Sequence, residues 1–148
     1  MKRQVSPSTE GRRVAMLFLY KCEADGLYFY SPSHLRSHLG ETFTDSWHLP
    51  LVRKIKRMVR SLTKNIFFYL PFLDHVISQH SENWSLIRLH AVDRAVLRVA
   101  CYELCYRNTP RGVVISDALD MAKEYGSKDS PAFVHGVLDA IAKSQQEP

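Results

Sequence analysis

The segment from Ser85 to Arg107 limits the possible folds of this chain more than any other. Val92, Ala95, Val96, Leu97, Val99, Ala100, Cys101 and Leu104 cover most of a helical circumference and leave a narrow polar strip through Arg94 and Arg98. A helix that is apolar nearly all round must be enclosed by other elements, so this one belongs at the centre of a helical domain. Glu103 and Arg107 form an i, i+4 pair of favourable orientation along it.

The rest of the chain supplies the enclosing helices. The first is expected from Ser8 or Thr9 to Ala24, with Val14, Leu17, Phe18 and Cys22 on its apolar face and Asp25-Gly26 at its end. Ser31-Pro32 opens a second, since Ser caps a helix and Pro fits its first position, and Gly40 is expected to stop it after Leu39. A third starts at Pro50, with Leu51, Ile55, Met58 or Val59, and Leu62 inward, and Arg53, Lys54, Lys56, Arg57, Arg60 and Lys64 over much of the remainder. A fourth spans Asn65 to His80, kinked or broken at Pro71.

Beyond the central helix, a sixth is expected over Val113–Tyr125 with a stripe of Ile115, Ala118, Leu119 and Ala122, ended by Gly126. The seventh is capped by Asp129 or Ser130, has Pro131 in its first turn, and carries Phe133, Val134, Val137, Leu138 and Ile141 inward. Gly136 inside it costs about 1 kcal/mol against Ala, which close approach of a neighbouring helix would offset. No segment alternates with period two, so the expected class is all-α with about seven helices.

Composition narrows the function. With 148 residues, 45% of them apolar, the chain suits one domain with a packed core. Its longest apolar run falls short of a membrane span, and Met1–Pro7 reads as a flexible basic tail without a signal-peptide core, so the expected compartment is the cytoplasm. Cys22, Cys101 and Cys105 lack C-x-x-C spacing and read as core residues. Charge is uneven. Residues 1–64 hold 12 Lys/Arg and 5 Asp/Glu, a net of +7, while residues 65–148 hold 8 and 10, a net of −2. A basic half suits a polyanion as well as a solvated surface.

No catalytic arrangement is legible. Phosphate-loop, dinucleotide, zinc-protease and nucleophile-elbow motifs are all missing, and His34 with His38 has no third metal ligand. The expectation is a protein that is not an enzyme and has neither cofactor nor metal. Lys2 and Arg3 lead into Arg12 and Arg13, an arrangement that could clamp phosphates or simply face solvent. Tyr20 and Phe133 could stack unpaired bases, and both also fit apolar helix faces.

Longer patterns carry a resemblance. Trp84, Arg88 and Leu89 precede a D-x-A-x-L-R-x-A-x-Y-E-L run made of Asp93, Ala95, Leu97, Arg98, Ala100, Tyr102, Glu103 and Leu104. Pro110 and an A-K-x-Y-G ending at Gly126 follow, then Asp129, Ser130, Phe133, Val134, Gly136, Val137, Leu138 and Asp139. Near the start, Arg12, Ala15, Leu19 and Tyr20 fit R-x-x-A-x-x-x-L-Y. Together these resemble the NusB family of bacterial transcription antitermination factors.

The resemblance implies one NusB-like domain of two three-helix subdomains sharing a core, at residues 8–80 and 84–148. It implies binding of single-stranded boxA RNA from ribosomal RNA leaders, together with the small-subunit ribosomal protein NusE, within the antitermination complex on RNA polymerase. The family includes monomers and homodimers. The implied RNA-binding residues are Arg12, Tyr20, Asp129 and Phe133, joined on charge by Lys2, Arg3 and Arg13. This chain departs from the family at Ser8, Thr9 and Glu10, which stand where consecutive arginines are usual. His135 and Ser116 each replace an Asn. An adaptor of the same fold with weak RNA affinity is the alternative that these departures motivate.

Overall fold

The computed structural model describes residues 5–44, 49–81 and 86–146, without the side chain of Ile87. Among these residues the chain is all-α: α1 (Pro7–Ala24), α2 (Pro32–Thr42), α3 (Pro50–Phe68), α4 (Leu70–His80), α5 (Ala91–Tyr106), α6 (Arg111–Tyr125) and α7 (Ser130–Ser144), with one 3₁₀ turn at Leu86–Arg88. Two compact units divide after Phe68. The division places α4 with the last three helices and coincides with the charge asymmetry.

In the first unit, Ser6 rather than Ser8 or Thr9 starts α1. Its hydroxyl accepts from the Thr9 amide at 3.1 Å, and Pro7 takes the first helical position, where a missing N–H costs nothing. Ser31 repeats the device on α2, accepting from the His34 amide at 3.3 Å. Gly26, with φ at 72°, lets the chain leave α1 through the left-handed region, and the Leu27 amide returns to the Cys22 carbonyl at 2.8 Å. Gly40 does not stop α2. The helix runs to Thr42, whose hydroxyl donates to the His38 carbonyl at 2.8 Å, and the buried Phe43 anchors that turn. Burying a Phe outweighs the propensity cost of one helical glycine.

Helix α1 packs on α3 with Gly11 against Met58, where a Cβ would lie 2.6 Å from the Met58 sulfur. Phe18 is fully enclosed, with the rings of His34, His38 and Phe67 around it at 5.8, 5.4 and 6.5 Å. The two histidines therefore pack an aromatic centre. On α3 the buried face is Val52, Ile55, Val59, Leu62 and Ile66; Leu51, expected inward, is 54% exposed. The helix continues past Asn65 to Phe68. The break falls at Tyr69 because Pro71 is stereochemically suited to the first turn of α4, not to the interior of a longer helix.

In the second unit α5 packs against α4, α6 and α7, the central position its sequence demands. It begins at Ala91, not Ser85, because the chain forms the short 3₁₀ turn and then extends at His90. The polar strip is spent internally. Arg94 donates to the carbonyls of Leu86 and Leu89, and Arg98 grips Asp74 of α4 through two hydrogen bonds of 2.8 and 3.0 Å. Arg107 donates to the Tyr102 hydroxyl at 3.1 Å.

Helix α6 is rotated from the expected stripe. Val114, Ala118, Met121 and Ala122 are buried with Asp117, whereas Ile115 and Leu119 are half-buried along an open groove. Gly126 is required by space, not by a left-handed φ. At φ −92° its added Cβ would lie 2.7 Å from the Ala122 carbonyl oxygen and 2.6 Å from the Ser130 hydroxyl. Asp129 occupies the cap position of α7 without a side-chain cap bond; Ser130 instead accepts from the Ser127 amide at 2.9 Å. Gly136 is exposed, and a Cβ there would meet nothing within 4 Å, so close helix approach does not account for it.

Candidate nucleic-acid interface

The turn Leu86–Arg88, the N-terminal end of α5 and the loop entering α7 enclose a hollow of about 340 Å³. Arg88, Leu89, His90 and Asp93 line one side, and Ser127, Asp129 and Phe133 the other. The sequence brings them together for local reasons. The extended His90 turns the chain into α5, so that Asp93 falls in its first turn; Pro131 and Ser130 fix the start of α7, so that Phe133 follows in its first turn. Asp129 and Phe133, both expected in an RNA site, thus share one wall.

The hollow combines three chemistries. Phe133 is half-buried, so part of its ring remains available for stacking. Arg88 and His90 are exposed at the rim. Asp93 is only 4% exposed, and among the described residues its Oδ1 has no hydrogen-bond partner. A buried carboxylate oxygen without a donor is costly, and an incoming N–H group would satisfy it. Asp93 was legible in the sequence only as a pattern position at the head of an apolar helix. Its orphaned oxygen depends on the hollow, which no local signal encodes.

The first unit holds the other expected residues. Tyr20 is 42% exposed on α1. Arg13 is half-buried and forms an ion pair with Glu10, its Nε donating to the Glu10 carboxylate at 3.0 Å. Arg12, expected to contact phosphate, is instead 4% exposed, because its position on α1 lies among Gly11, Val14 and Ala15 on the buried face. Lys2 and Arg3 lie outside the described residues, as does Trp84.

Known proteins resemble the chain in sequence and fold. The NusB family model matches residues 9–143. The chain belongs to the NusB family of transcription antitermination proteins. It is 33% identical to the transcription antitermination protein NusB of Geotalea daltonii over 143 residues, covering 95% of this chain and 97% of that protein. Against the NusB of Thermotoga sp. strain RQ2 it is 47% identical over 92 residues, 62% of this chain and 65% of that protein.

Among solved structures it resembles T. maritima NusB, with a TM-score of 0.79, 34% identity, and coverage of 95% of this chain and 93% of that one. It also resembles a chain from the crystal structure of a plectonemic RNA supercoil, with a TM-score of 0.81, 26% identity, and coverage of 95% and 97%. NusB membership accounts for the lack of a catalytic motif: the family is non-enzymatic. Among the described residues no helix is long and apolar enough to cross a membrane.

Proposed function

We propose that this NusB-family chain binds boxA RNA of ribosomal RNA leaders, together with NusE, and supports antitermination on RNA polymerase. The observation that carries the RNA assignment is the hollow of the second unit. There a partly exposed ring, an arginine at the rim and a buried, unpartnered carboxylate oxygen meet within one base-sized space. An unstacked base lying on Phe133 can present an amino or imino N–H to Asp93 while Arg88 approaches its phosphate. Asp129 lines the entrance. From the first unit, Tyr20, Arg13, Lys2 and Arg3 supply further ring surface and positive charge.

Fluorescence anisotropy with a boxA strand tests this directly. Phe133→Ala removes a stacking surface worth roughly 1–3 kcal/mol per base and should weaken binding about tenfold or more. Asp93→Asn, which keeps the shape and loses the charged acceptor, should narrow the preference for boxA over a scrambled strand. Unchanged affinity and preference in both variants would remove the hollow from the RNA site.

A second reading, an adaptor with weak RNA affinity, draws on Arg12 being buried and Arg13 being held by Glu10. Retention of NusE in a pull-down, with boxA bound no more tightly than a scrambled strand, would favour it.

A further inference from the structure

We infer that the solvent face of α3 is a second RNA-contacting surface, a ridge that holds the sugar-phosphate backbone without reading bases. Lys54, Arg57, Arg60 and Lys64 are all exposed and recur at intervals of three, three and four residues. At 3.6 residues per turn they fall within about 120° of arc, and at 1.5 Å per residue they extend over about 15 Å. The 19-residue helix contains no Asp or Glu, so its own sequence does not neutralise the ridge. Among the described residues none of the four has an ion-pair partner. Such a row of free cations along a rigid rod complements a line of phosphates and gains by counterion release.

The opposite face of α3 decides between an RNA strand and a lipid surface. An interfacial helix must place an apolar face into the bilayer. Here Val52, Ile55, Val59, Leu62 and Ile66 are each at most 7% exposed, so that face is already committed to the protein interior. Between Arg53 and Lys64 the exposed residues are five cations and Ser61, suited to a soluble polyanion; the exposed Leu51 and Phe68 stand at opposite ends of the helix and form no continuous apolar face. The surface lies in the basic unit, 12 Lys/Arg against 5 Asp/Glu, and six of those cations are on α3.

The inference shares its ligand class with the proposed function but rests on different residues, which the test separates. The quadruple variant K54Q/R57Q/R60Q/K64Q and the milder R57Q/R60Q are titrated with an oligouridine strand and with boxA RNA between about 50 and 200 mM salt. Their thermal melts are compared with the wild type. The quadruple variant should bind oligouridine at least tenfold more weakly at low salt. Its slope of log affinity against log salt should be shallower by roughly 2–3, the double variant falling between. Phe133→Ala should leave that slope unchanged while lowering boxA preference.

Wild-type slopes in both charge variants would overturn the ridge and leave the hollow standing. Loss of oligouridine binding with boxA preference intact would support the ridge, and it would do so even if Phe133→Ala had no effect. Wild-type binding to phosphatidylserine vesicles that is lost in the quadruple variant, with RNA binding untouched, would assign the face to lipid and overturn the inference.

Discussion

Single residues in this structure have distinct jobs that composition does not separate. The three cysteines differ in chemistry. Burial pushes the Cys22 thiol up to about 11. Cys101 and Cys105 lie with their sulfurs 4.0 Å apart, and the hydrogen bond between them raises Cys101 and lowers Cys105. Because the thiolate is the nucleophile, iodoacetamide under native conditions should label Cys105 first and spare Cys22 and Cys101. Peptide mapping checks this, and equal labelling of all three would contradict it.

Gly126 is similarly specific. Gly126→Ala should destabilise the chain by about 1–3 kcal/mol in urea, because a methyl group there meets a backbone carbonyl that cannot turn aside. The sequence points to this glycine as a helix terminator, but the crowding by Ala122 and Ser130 is a property of the folded loop. Arg12 shows the converse: as part of a basic pair it reads as a surface cation, while its helical register places it on the buried face.

At the scale of elements, most helices follow from caps and periodicity, and the departures have physical causes. Ser-Pro starts helices twice, at Ser6 and at Ser31. Helix α2 passes its glycine because a later Phe is buried, and α6 is turned by about one position from its expected stripe, with Asp117 on its buried face. Neither burial is visible in a local window.

The α4–α5 contact is held by the two-point Arg98–Asp74 pair, with side chains 12% and 25% exposed. Asp74→Asn should cost about 1–3 kcal/mol by chemical denaturation. Combined with Arg98→Gln it should cost less than the sum of the two changes.

The α1–α2 contact adds a pH dependence. Burial holds the His38 imidazole below its ordinary value, and its Nε2–H donates to the Val14 carbonyl at 3.3 Å. The unfolded chain therefore takes up this proton first as pH falls. The His38 contribution is complete above about pH 6.5 and is lost as acidification continues toward the folded value. Differential scanning fluorimetry should show a melting temperature that falls from pH 7.5 to 5, less steeply in His38→Gln.

Across the whole molecule, charge and structure divide at the same place. The basic residues gather in the unit ending at Phe68, and the hollow with the unpartnered carboxylate belongs to the mildly acidic unit that follows. The all-α class and the NusB family were legible because the second unit keeps long patterned runs such as Asp93–Leu104. The hollow was less so. Asp129 and Phe133 carry an implied RNA-binding role in the sequence pattern, whereas Arg88 and Asp93 stand in the same pattern without one and His90 stands outside it; the turn before α5 brings these three to the hollow.

Selective binding of boxA RNA, the function proposed for this chain, can be read from one titration. The 148-residue chain is titrated with a boxA strand and with a scrambled strand of equal composition, each with and without NusE. Tighter binding to boxA, strengthened by NusE, is the predicted result. Equal affinity for the two strands, unchanged when NusE is added, would contradict it.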